Sequence, residues 1–466
     1  MDSEEKGQLL LWAKLHDITV SGSLQIRSAP EAGLGLFYTD ANQPKLPPIL
    51  LEVPNSMLLT ADNIQTFALS QKDTLLPLLR SDTPLPPRET ILRFLLFSLH
   101  KFNSALKIPH NFYDPYLSHL PDIKPDSSKS SLPPIFWDDD LCERVAGTSL
   151  YYPLQAKRRK LQSEYETFSS LWAIVFRDES ITYEEYLRAE WLVVSRVLEL
   201  HVNGADEIAI VPILDFANHG RQFNARYEIT TDAVQLVPVS EEIKVQDGAE
   251  ILISYGPDKG SSELLFTYGF LPSADDYTGE EFVKMPVTEG GPALRYLYGK
   301  IPLVELHVDS EGELEWKSEY LWLLSVGPDE GFDVSVVSTR DGDEEILASV
   351  QGQVLDGVRG DAIAAAIQEK IGKGTMAAVL ELRRVLILER MATGWLNELG
   401  QSEWESEGEK EADAPEILRQ REERVLCMLL DDLDERKKQL AESPDVLSFL
   451  ARAQEDPKAE SEEDLS

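Results

Sequence analysis

The sequence predicts an α+β chain of more than one domain, on three observations. Two β-patterned blocks, 18–60 and 208–280, are separated by a long, mostly helix-patterned stretch. Helical periodicity returns at 361–400 and 415–454. The chain has 466 residues, and a single hydrophobic core stops growing near about 250–300. The expected boundaries are an N-terminal piece at 1–60, a helical insert at 61–180, a second piece at 181–280 and a mainly helical region at 281–466.

In the first block, Ile18–Ile26 alternates as a strand should, a glycine-containing turn follows, and Ile49–Val53 is closed by Pro54. Leu92, Leu95, Leu96 and Leu99 recur at helical spacing. A Ser/Pro-rich loop is expected at 121–134 and helix again at 135–180. Thr182-Tyr-Glu-Glu185 reads as a capping box opening a helix whose buried stripe is Leu187, Trp191, Val194 and Leu198. Asp247-Gly248 is a turn signal before the strand Ile251–Tyr255. Ser261 or Ser262 is placed to cap a short helix ending at Tyr268-Gly269. Residues 283–360 are mixed in pattern. Val379, Leu382, Leu386 and Trp395 read as the core stripe of a helix at 376–399.

Charge and cysteine content narrow the function classes. Lys+Arg total 44 against Asp+Glu 82, a net charge of -38. Nucleic-acid binders carry a basic stripe, and docking on anionic lipid also needs cations, so neither partner is expected. A basic protein partner stays open. Residues 401–466 hold 21 acidic and 9 basic side chains, which makes this the most charge-dense part. The acidic loop 401–414 reads as solubilising, or as an electrostatic lure for a basic substrate. Two distant cysteines, Cys142 and Cys427, form neither a disulfide framework nor a zinc site. No metal is expected. The apolar run near the N-terminus is too short for a secretory leader and no stretch is long enough to span a membrane. A cytoplasmic or nuclear monomer is the expectation. The basic run Lys157–Lys160 reads as a solvated helix face or a nuclear signal.

Several short motifs carry possible chemistry. Glu31-Ala-Gly33-Leu-Gly35 lies between two strands and lets backbone approach a ligand, or simply turns the chain. It lacks the third glycine and the helix of a dinucleotide-binding turn. Asp215, Asn218 and His219 follow the apolar run Ile208–Leu214, either as polar groups at a site or as a capped turn with a core histidine. Tyr255-Gly256 ends a strand and Tyr268-Gly269-Phe270 ends a helix, and tyrosines there also serve as ordinary core residues.

Taken in order, with Ser195-Arg196 on the helix between them, these motifs closely resemble the SET-domain methyltransferases. The resemblance is strongest to the subgroup typified by the Rubisco large-subunit lysine methyltransferase. It implies a SET fold split by a helical insert, then a helical substrate-binding domain. The turn Glu31, Ala32, Gly33, Leu34 and Gly35 would line S-adenosylmethionine. Arg196 would hold the methionine carboxylate, suiting a guanidinium fork. Asn218 and His219 would bind the adenine edge, His219 largely through backbone. Tyr255 would be the catalytic tyrosine and also touch the cofactor, which Phe270 would wall. Tyr268, Ser195, Asp215 and Tyr227 would meet the substrate side chain. The residues present depart from the subgroup at Ala32 and Gly220.

The implied activity is protein-lysine methylation of a non-histone, basic protein such as a ribosomal or translation protein. The alternatives are histidine methylation on the same scaffold, or a SET-like binding module without catalysis. The chemistry suits such a site. A free lysine is only about 0.04% neutral at pH 7, and a desolvated channel beside a cationic cofactor raises that fraction. Positioning is then the main catalytic contribution.

Overall fold

A computed structural model describes residues 3–29, 33–40, 45–72, 74–103, 111–122, 129–177, 179–202, 205–273, 277–338, 344–355, 357–401 and 412–455. The chain divides into two compact units. The first comprises Met1–Asp138, Leu154–Lys259 and Glu263–Phe270. The second comprises Asp139–Pro153, Gly260–Ser262 and Leu271–Ser466, so part of the stretch expected as the insert groups with it.

In the first unit, each of two four-stranded sheets draws strands from both β-patterned blocks. One runs Thr19–Val20, Leu51–Pro54, Ala233–Pro238, Ala225–Ile229, all antiparallel. The other runs Leu24–Ala29, Gly33–Tyr38, Glu250–Ile253, Asn218–His219, with only the last pair parallel. The alternation at Ile18–Ile26 is not one strand. The Leu24 N–H bonds back to Ser21 O (3.0 Å), and the halves enter different sheets because Ser21-Gly22-Ser23 permits the turn.

Leu92, Leu95, Leu96 and Leu99 are all buried on the helix Pro87–Asn103. The capping box opens Tyr183–Arg196: the Glu185 N–H donates to Thr182 Oγ1 (3.1 Å) and the Thr182 N–H to Glu185 Oε2 (2.8 Å). The predicted stripe of this helix is rotated. Tyr186, Leu187, Ala189, Leu192 and Val193 are buried, while Trp191 and Val194 are half-buried. Leu198 lies beyond the helix, in the strand Val197–Val202. The helix also buries Glu190, paired with Lys157 (2.5 Å) and Arg88. One member of the basic run Lys157–Lys160 is therefore turned inward, while Arg159 and Lys160 are exposed.

In the second unit two three-stranded antiparallel sheets, with the short helices Pro292–Tyr298 and Tyr320–Ser325 among their strands, precede the C-terminal helices. The sheets are Glu281–Pro286, Leu303–Val308, Leu314–Lys317 and Phe332–Ser338, Glu344–Val350, Gln353–Val354. Val283, Met285, Val304, Leu306 and Val308 alternate into a common core. The helices Asp361–Lys370, Thr375–Gln401, Ala414–Ala441 and Pro444–Glu455 follow. On Thr375–Gln401, Val379 and Trp395 are buried as expected, but Leu382 is half-buried and Leu386 is 45% exposed. Leu380, Val385, Leu388, Met391 and Ala392 fill the core instead. Most of the acidic loop 401–414 lies outside the described residues.

Neither Ser261 nor Ser262 caps the helix Ser261–Tyr268. The Ser261 N–H (2.6 Å) and Oγ (2.5 Å) both donate to the buried Glu281 carboxylate. An anion at a helix N-terminus is favourable.

Candidate active site

The site begins at a strained turn. Ile213, buried and β-branched, has φ +69° and ψ −41°, a conformation that costs about 1–3 kcal/mol. It leads into the 3-10 turn Leu214–Phe216, which aims both the backbone carbonyl and the carboxylate of Asp215 at one guanidinium. Arg196, at the last position of its helix, donates from Nη1 to Asp215 O (2.8 Å) and Oδ2 (2.9 Å). The buried Tyr116 hydroxyl donates to the same Oδ2 (2.7 Å). Arg196 Nε and Asp215 Oδ1 are buried and have no hydrogen-bond partner among the described residues. Burial raises the Asp215 carboxyl above its ordinary range, against the pull of Arg196.

An aromatic cluster adjoins this pair. Tyr255 follows the strand Glu250–Ile253; its hydroxyl donates to Ala217 O (2.9 Å) and its N–H to His219 Nδ1 (3.2 Å). Nδ1 accepts here, so the neutral ring carries its proton on Nε2. The Tyr255 ring lies 4.4 Å from Tyr268 and 5.3 Å from His219, and Phe270 lies 6.1 Å from His219. Gly269 permits this: at φ +87° it ends the helix, and a Cβ there would meet Pro133 at 2.5 Å. The Trp191 indole donates to Tyr268 O (3.3 Å), which accounts for its half-buried position. Burial pushes the Tyr255 hydroxyl well above 10 and that of Tyr268 up to about 12. Both are neutral hydrogen-bonding groups at neutral pH.

A cavity of about 80 Å³ opens among Ser195, Arg196, Asp215, Tyr227, Tyr255 and Tyr268. Beside it, the paired strands bring Asn218 to the glycine turn. Asn218 Nδ2 donates to Leu34 O (3.2 Å) and Glu250 Oε1 (2.6 Å). A Cβ on Gly35 would stand 2.3 Å from that Oε1, so only glycine fits without a shift. Glu31 and Ala32 lie outside the described residues.

A family model described as cytochrome c lysine N-methyltransferase 1 matches residues 171–287. The SET domain-containing protein 8 of Schizosaccharomyces pombe is 26% identical over 313 residues, covering 64% of this chain and 66% of that protein. The protein-lysine N-methyltransferase EFM1 of Saccharomyces cerevisiae is 26% identical over 215 residues, covering 46% of this chain and 31% of that protein. The match therefore spans just under two thirds of the first relative and less than a third of the second. The solved structure of the SET domain of LSMT bound to methyllysine and AdoHcy superposes with a TM-score of 0.61 at 14% identity, covering 98% of this chain and 96% of the other. That of Rubisco LSMT bound to AdoMet gives 0.60 at 14% identity, covering 99% and 98%. The chain has a SET-domain fold.

Within this SET domain, Leu34 and Gly35 lie at Asn218, Gly33 opens the same strand, and Arg196, Asp215, Tyr227, Tyr255 and Tyr268 share one cavity. His219 and Phe270 stand in the aromatic cluster. Ser195 lines the cavity, but its hydroxyl donates to Trp191 O (2.7 Å) on its own helix. Sequence reasoning missed Tyr116 and Glu250. Glu250 carried a usable signal, since it opens the strand Glu250–Ile253 that leads to Tyr255. Tyr116 carried none, because its role depends on a pairing 99 positions away.

Proposed function

We propose that the chain is a protein-lysine N-methyltransferase dependent on S-adenosylmethionine, acting on a basic, non-histone protein such as a ribosomal or translation protein. The observation that carries this reading is the cavity bounded by the neutral Tyr255 and Tyr268 and by the Arg196–Asp215 pair, whose buried Nε and Oδ1 have no partner among the described residues. The methyltransferase names of the matching family and of one relative support it. S-adenosylmethionine, when bound, supplies a sulfonium methyl for transfer. The residues fit that group. Arg196 Nε is a buried donor suited to a carboxylate. Gly35 allows close backbone approach with Asn218 beside it, and His219 stands by Phe270, which offers an apolar wall.

The protein's own part is to orient and to dry. Tyr255 and Tyr268 stay un-ionised, so their hydroxyls orient an amine without accepting its proton outright. The half-buried lining disfavours the ammonium form of an entering lysine. Ala217 O already takes the Tyr255 hydroxyl hydrogen, which leaves the phenol oxygen lone pairs for the amine or the methyl C–H groups. The acidic composition, most charge-dense at 401–466 of the sequence, supports a lysine-rich substrate, whose capture should weaken as salt rises.

Incubation with labelled S-adenosylmethionine and a cell lysate tests this. A labelled band lost in Tyr255→Phe, with methyllysine found by mass spectrometry, is the expected result. Methylhistidine would move the assignment to the other nucleophile, and cofactor binding without transfer would indicate a binding module.

A further inference from the structure

We propose that Glu250 is a positioning residue that holds the Asn218 carboxamide with its oxygen turned outward, as an acceptor for an N–H group of the cofactor. This rests on the cofactor reading above. A carbonyl oxygen can only accept, so the contact with Leu34 O requires the nitrogen of Asn218, not its oxygen, to face the turn. Glu250 Oε1 lies 2.6 Å from the same nitrogen. Both amide hydrogens are thereby directed inward, and among the described residues no donor takes Oδ1.

The surroundings keep Glu250 in place. Its backbone carbonyl accepts from Asn224 Nδ2 (2.8 Å), and the Leu252 N–H donates to Asn224 Oδ1 (3.0 Å), which pins the strand at both ends of the dipeptide step. Parallel pairing of Leu252 with Asn218 fixes the distance between the strands. The carboxylate fills the space left by the missing side chain of Gly35. Glycine, carboxylate and carboxamide form one unit in which each position limits the next. An outward amide oxygen selects a donor: the exocyclic amine of adenine or the ammonium of the methionine moiety.

Calorimetric titration distinguishes the two. The probes are S-adenosylhomocysteine, its inosine counterpart with carbonyl in place of the exocyclic amine, and its counterpart lacking the amino group. The unaltered chain should lose about tenfold or more in affinity for one of the two altered ligands, in line with a hydrogen bond to a polar or charged donor. Glu250→Ala should weaken S-adenosylhomocysteine by a similar factor and reduce the discrimination to within about threefold. Glu250→Gln should keep it, because an amide oxygen accepts the same N–H. Melting temperatures near that of the unaltered chain separate positioning from unfolding. Discrimination that survives Glu250→Ala, or is absent in the unaltered chain, overturns the positioning role while cofactor binding stands. Failure of the unaltered chain to bind S-adenosylhomocysteine overturns the cofactor reading and this inference with it.

Discussion

Two buried carboxylates in the first unit have opposite surroundings. Glu190, among the helices, faces two cations, Arg88 and Lys157; although burial raises its pKa, their combined pull holds it below the ordinary range. Asp215, in the candidate active site, faces one guanidinium and a tyrosine hydroxyl, and burial leaves it raised. In the second unit Glu422 faces no cation among the described residues. It accepts the Ser149 N–H (2.7 Å) and hydroxyl (2.6 Å), and burial with the nearby Glu281 charge raises it to about 7. The direction follows the number of neighbouring cations. Within the first unit, the charge of Glu190 among the helices is compensated, and that of Asp215 at the site is compensated less fully.

The largest expected effect tests the structural member of this pair. Glu190→Ala strands Arg88 and Lys157, and stability measured by urea unfolding should fall by about 3–5 kcal/mol, with affinity of the folded protein for S-adenosylhomocysteine unchanged. An equal loss of affinity would break the contrast. At the site the balance should reverse: Tyr255→Phe should lower methyl transfer about 100-fold or more while costing only about 1 kcal/mol of stability for its bond to Ala217.

Glu422→Gln should stabilise the protein. A folded pKa near 7 against 4.5 unfolded means that the folded state holds the proton more tightly, so its contribution to stability falls as pH rises across that window. Above pH 7 the variant should gain up to about 3 kcal/mol, and its pH–stability curve should be flatter.

The smallest effect is one of sign. Glu190 contributes stability that is present above its unfolded pKa of 4.5 and lost as pH falls through its lower folded pKa. Asp215 contributes a penalty that grows as pH rises above 3.8. Relative to the unaltered chain, Glu190→Gln should lose ground, and Asp215→Asn gain it, as pH rises from acid toward neutrality in thermal denaturation. Parallel shifts would show that the cation count does not set the direction.

Much of the site was legible because its motifs are local: Ser195-Arg196 ends a helix, Asn218-His219 follows an apolar run, and Tyr255, Tyr268 and Phe270 close regular elements. The capping box at Thr182–Glu185 is likewise a four-residue signal, and it forms. What escaped reading depends on partners remote in sequence. Glu250 matters because Gly35 and Asn218 meet it across two sheet pairings. Helical stripes were misplaced where a helix packs on more than one side. The helix Thr375–Gln401 touches Tyr320–Ser325, Ala414–Ala441 and Pro444–Glu455, so no single period selects Leu380 over Leu386.

The sheet order of the first unit also sets a timetable. Leu36 pairs with Ile251, more than two hundred residues further along the chain. A ribosome adding about 5–20 residues per second needs roughly 10–40 s to supply that partner. The hairpin of Leu24–Ala29 and Gly33–Tyr38 can close at once, since its pairing is local. Its second edge must wait, open to any extended segment that passes. The glycine turn is thus among the first parts of the site to be synthesised, yet it meets Asn218 and Glu250 only after the whole insert has emerged. The pairing that completes this sheet therefore waits on synthesis of the chain's second β block.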